Sequence, residues 1–179
     1  MDAAAILRFW FDEISPAQWW RRDSAFDQAL AARFGELHRA ASKAELWAWR
    51  ESASGRLAEI IVLDQFSRNL YRDDARAFAS DAFALGLAQE AVHSGADLQI
   101  AAERRAFVYM PYMHSESPLI HAAAVQLFRE RAPGNIDYEL RHKAIIDRFG
   151  RFPHRNAVLG RASSSEELAF LATPGSSFQ

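Results

Sequence analysis

Residues Gly55 to Leu70 read GRLAEIIVLDQFSRNL, and the spacing within them decides the fold class. Leu57, Ile60, Ile61 and Leu63 recur at helical intervals, and at about 100° per residue Asp64 and Arg68 share a line with Leu57 and Ile61. An acid and a base therefore ride on an apolar face. Exposed, such a pair four residues apart contributes only about 0.2–0.5 kcal/mol. Buried, each charge costs several kcal/mol unless it is paired and hydrogen-bonded, so Asp64 and Arg68, with Asn69 beside them, belong to a satisfied structural network or to a working site.

Toward the N-terminus the pattern stays helical. A short helix through Ile6 and Phe11 gives way at Ser15-Pro16, a cap and first turn. A second helix from Ser24 carries Phe26, Leu30, Phe34, Leu37 and Ala41, and a third short one holds Leu46, Trp47 and Trp49. Toward the C-terminus, Asp73-Asp74 offers caps for a helix whose stripe reads Phe78, Asp81, Ala82, Leu85, Gln89 and Val92, with Asp81 amid the apolar face. The helix from Ala101 should kink or end at Pro111, which lacks the N–H that would bond to Phe107. Ser117-Pro118 opens another. A helix with stripe Tyr138, His142, Ile145 and Phe149 stops at Gly150, and a capping box from Ser163 or Ser164 to Glu166 or Glu167 starts the last. No stretch alternates as a strand would. The expectation is an all-α fold, an antiparallel array of paired helices in one domain over residues 1–179, without a sheet and with a loose tail over 174–179.

Composition narrows the partners. The 179 residues carry a net charge of −2, so no global field favours nucleic acid or an anionic bilayer, and neither is an expected partner. No apolar run approaches the roughly 18 residues of a membrane span, and the start lacks a basic leader, which together predict a cytoplasmic protein. Cysteine is absent, which excludes disulfides and thiolate chemistry.

Against that even balance stands Arg148 to Asn156, RFGRFPHRN, followed by Leu159-Gly160-Arg161. From Arg141 to Arg161 five arginines and one lysine meet a single acid, Asp147, a local excess of five positive charges. Guanidinium forks match the paired oxygens of carboxylate or phosphate. The same arginines can instead pair with Asp64, Asp81 and Glu116 as interior struts, and both readings stand.

Three strings carry a family likeness: Leu63 to Asn69 (LDQFSRN) followed by Phe78 to Asp81 (FASD), Phe107 to Glu116 (FVYMPYMHSE), and Arg148 to Arg161. With them the chain resembles a bacterial family known as domain of unknown function 924, itself similar to the tetratricopeptide-like helical superfamily. The likeness spans nearly the whole chain and implies paired helices, with no activity attached. Ser67 stands where the family pattern usually has proline, which fits an uninterrupted helix.

His114 and Glu116 sit at a proline-broken helix end, where backbone groups are left over, and His142 lies alone on an apolar stripe. With Asp64 these are the candidate catalytic residues. The candidate ligand-binding residues are Arg68, Asn69, Asp81, Arg148, Arg151, His154, Arg155 and Asn156. No recognised ligand spacing links His114, Glu116, His121, His142 and His154, so neither metal nor cofactor is expected. The leading expectation is a pocket for a small anionic molecule; the rival is an interaction module that takes a peptide in a helical groove.

Overall fold

In the computed structural model, which describes residues 2–176, the chain is helical throughout and no strand occurs among the described residues. The stretch from Gly55 to Leu70 lies at its centre. Helix α4 (Ala53–Ile61) continues without a break through a π-helical turn (Val62–Phe66) into a last α-turn (Ser67–Leu70), and every residue from Leu57 to Ser67 is buried. A helix covered on all sides needs apolar residues all round, which LAEIIVL supplies. The exception, Glu59, is neutralised by a bidentate pair with Arg50 at 2.7 Å. Ser67 donates back to the Leu63 carbonyl at 2.6 Å, so the helix runs on at that position.

Around this rod pack α1 (Ala3–Arg8) with its π-helical extension (Phe9–Glu13), α3 (Ser24–Ser42), α6 (Asp81–His93) and α7 (Ala102–Met113), while the short α2 (Pro16–Trp20) sets Trp19 and Trp20 against Phe107 of α7. The short Ser67–Leu70 turn is α5. Helices α6, α7, α8 (Pro118–Arg131) and α9 (Ile136–Phe149) then pack each on the next, and α10 (Ser165–Leu171) closes the chain. Phe9, Trp10, Phe34, Phe66 and Phe107 form a continuous aromatic core, ring centroids 4.7–6.0 Å apart, that ties the N-terminal helices to the rod and to α7. Each such buried ring stabilises the fold by about 1.5–3 kcal/mol. A smaller cluster of Ile145, Ile146 and Phe152, flanked by Phe149 and Phe170, seats the arginine-rich string.

Three expectations are corrected. Helix α7 passes through Pro111 and ends only at Met113, because Ala106 to Met113 are all buried and packing outweighs one missing hydrogen bond. Helix α6 begins at Asp81 and buries Ala84, Ala88 and Ala91, so its phase is turned away from the Ala82-Leu85-Gln89 stripe: small residues let it approach the rod closely. Asp81 thus stands at the helix start. In α9 the buried face is Glu139, His142, Ile145 and Ile146, with Tyr138 turned outward. Of the tail, Ser176 is buried and donates to the Leu171 carbonyl at 3.1 Å; residues 177–179 lie outside the described residues.

Candidate functional site

Asp64 occupies the π-turn of the rod and is 1 % exposed. The extra residue in a π-turn re-aims side chains, a feature concentrated at working sites. One carboxylate oxygen meets His114 Nδ1 at 2.7 Å; the other accepts from Gln65 Nε2 at 2.6 Å, and Arg68 Nη2 stands 3.7 Å away. Burial pushes the Asp64 carboxyl up, but the charges of His114 and Arg68 and the hydrogen bonds from His114 and Gln65 outweigh it, holding the group well below the usual carboxylate range. Asp64 is therefore an anion, Nδ1 of His114 carries the proton it donates, and Nε2 is the ring nitrogen left outside that bond. His114 is the C-cap of α7, and its Nε2 makes no hydrogen bond among the described residues.

From Arg68 a second chain of pairs runs sideways. Its two terminal nitrogens bind Asp81 at 2.7 and 3.0 Å, and Nη1 also donates to the Ala77 carbonyl at 2.9 Å. Asp81 accepts in turn from Arg155 at 3.2 Å, and Arg155 donates to the His114 carbonyl at 3.0 Å. The Arg155 guanidinium is clamped between Phe78 and Phe152, 4.4 and 4.6 Å from their ring centres. Burial and the nearby Arg68 charge lower it to about 10.

Two clefts open on this ladder. The first, about 160 Å³, is walled by Gln65, Arg68, Asn69, Arg72, His114 and His154 and roofed by Trp19 and Trp20, which lean on Phe107. The second, about 380 Å³, is lined by Phe78, Ala82, Leu85, Pro111 and Leu159 over a floor of Asp81, Glu116 and Arg155. His114 and Phe78 belong to both.

The structure thus brings Arg68, Asn69, His114 and His154 to the first cleft and Asp81, His114 and Arg155 to the second, with Asp64 buried behind His114. Asn69 donates to Asp27 at 2.8 Å while facing that cleft. His142 lies behind His114, ring centroids 6.1 Å apart, its Nδ1 bonded to the Tyr138 carbonyl at 2.7 Å. Burial and then the His114 charge lower it to about 3. Burial and Arg155 likewise lower His154 to about 4. Glu116 is engaged as a clamp: it accepts a bidentate pair from Arg161 at 2.7 and 3.0 Å and the Phe152 N–H at 2.7 Å. Asn156 steadies the same loop through Ser163 and Arg161.

Arg148 and Arg151 point the other way. They pair with Glu166 at 2.9 Å and Glu167 at 2.6 Å on α10, and neither lines either of these two clefts; Gly150 (φ +69°) turns the chain between them. Sequence reasoning missed Arg72, Trp19, Trp20 and Phe78. Arg72 follows Arg68 by four residues and was within reach of the same spacing argument; the tryptophans reach the cleft only through long-range packing. Among the described residues no three histidine or carboxylate side chains gather as a metal would require.

No helix of the described residues is long and apolar enough to cross a membrane. Comparison with curated proteins finds no significant match. A solved structure of a protein of unknown function from Agrobacterium tumefaciens is 37 % identical, covers 95 % of this chain and 96 % of its own, and superposes with a TM-score of 0.90. The sequence profile described as "Bacterial protein of unknown function (DUF924)" matches residues 6–175, and the chain belongs to that family.

Proposed function

We propose that the chain binds a small anionic molecule in the tryptophan-roofed cleft and that His114, oriented by Asp64, moves a proton to or from it. The carrying observation is the 2.7 Å bond between His114 Nδ1 and a buried, ionised Asp64, which leaves Nε2 as the ring nitrogen that can take or give a proton beside two arginines. Arg68 and Arg72 supply cationic donors. Arg72 spends Nε and Nη2 on Asp27 and the Arg21 carbonyl, and its Nη1 has no hydrogen-bond partner among the described residues. A carboxylate or phosphate oxygen completes that set. His114 is the catalytic residue in this reading, and Asp64 positions it.

A thermal-shift screen of small carboxylates and phosphate monoesters against wild type and Arg72→Met tests the binding half. A ligand-dependent rise in Tm that the substitution removes is expected. Equal shifts in both proteins, or none with any anion, would overturn it.

A further inference from the structure

The two clefts meet at His114 and Phe78 but differ in character. Around the first stand the cationic and amide groups of Arg68, Arg72, Gln65 and Asn69, with one acid, Asp73, that is paired to Arg22; the walls of the second are Phe78, Ala82, Leu85, Pro111 and Leu159. On the second cleft's floor the charges are already matched, Asp81 to Arg68 and Arg155, and Glu116 to Arg161. Of these groups Arg155 Nε is buried without a hydrogen-bond partner among the described residues, and the rest hold one another. The alanine at position 82 leaves room where a larger side chain would close the cleft.

We infer that the two clefts are halves of one elongated site whose ligand is an amphiphile, with its anionic head against Arg68 and Arg72 and an apolar body lying along Phe78, Leu85 and Leu159. This rests on the anion-binding reading above. Such a ligand crosses His114 where head joins body, so the atom next to the head is the one presented to Nε2. Ligand pockets have this composition in general, mostly apolar walls with a few convergent polar groups that fix orientation.

The test is a calorimetric titration with straight-chain carboxylates from acetate to octanoate and with the matching alkyl phosphates. In wild type, affinity should rise by about fourfold for each methylene that enters the second cleft and level off once it is filled. Ala82→Trp fills that cleft from an exposed helix position and should bring octanoate back to the affinity of acetate; Leu159→Gln serves where the first variant does not fold. Acetate or methyl phosphate binding with no dependence on chain length would overturn the amphiphile and keep the anion site. A chain-length gain that survives both substitutions would overturn the placement of the apolar body. Failure of both series to bind would overturn the anion site and this inference together.

Discussion

His114 donates from Nδ1 to Asp64 across 2.7 Å, joining the C-terminal cap of α7 to the π-turn of the central rod. The two residues are 50 positions apart in sequence, and the bond fixes Nδ1 as the donor and the direction in which Nε2 points. Asp64→Asn keeps the shape and removes the charge. Because a buried charged hydrogen bond loses its ionic partner while Arg68 remains, the variant should be about 3 kcal/mol less stable in urea unfolding. Long-range proton–nitrogen spectra should show His114 as the Nδ1–H tautomer in wild type; a ring protonated at Nε2 alone would refute the orientation.

Acid should weaken the fold. His142 and His154 titrate at about 3 and about 4 in the folded chain against 6.5 when unfolded. Between pH 6.5 and those values the unfolded chain takes up protons that the folded one refuses. Stability is full above pH 6.5 and falls as pH drops, by about 1.4 kcal/mol per pH unit for each histidine. Glu139, its carboxyl pushed up by burial, binds its proton more tightly when folded and offsets part of that slope just above pH 4.5. Urea midpoints at pH 7.5, 6 and 5 should decline in order, and His142→Gln should flatten the decline.

Arg155 and Arg151 stand four residues apart in one basic string and should behave in opposite ways. Arg155→Met removes a buried guanidinium held by Asp81, the His114 carbonyl and two rings, at a cost of about 3 kcal/mol. Arg151→Ala touches only α10 and the loop before it, so anion binding, measured by the same thermal shift, should match wild type.

Gly55→Ala should destabilise although alanine is the better helix former by about 1 kcal/mol. A Cβ built there falls 1.9 Å from the Trp49 carbonyl oxygen, which is backbone and cannot step aside. Overpacking of this kind costs about 1–3 kcal/mol, so the melting temperature should fall, whereas Gly86→Ala, on a helix with open space around it, should raise it.

By itself the sequence determined the class and the punctuation of the fold. Caps and breakers act locally, which is why Ser15-Pro16, Ser117-Pro118, Gly150 and the Ser164–Glu167 capping box all fall where spacing put them. It also marked Asp64, Arg68 and Asp81 as polar groups too close to apolar residues to be idle. Tertiary structure alone decided which arginine meets which acid. Partners 13 to 74 residues apart, such as Arg68 with Asp81 and Arg155 with Asp81, are chosen by how helices stack and not by local pattern. The same holds for α7, whose passage through Pro111 depends on neighbours that bury its last turn, and for α6, whose phase is set by alanines fitting against the rod. The stretch from Gly55 to Leu70 shows the division most sharply: its periodicity made it a helix, but only burial on every side turned Asp64 from one carboxylate among many into the fixed anion that orients His114.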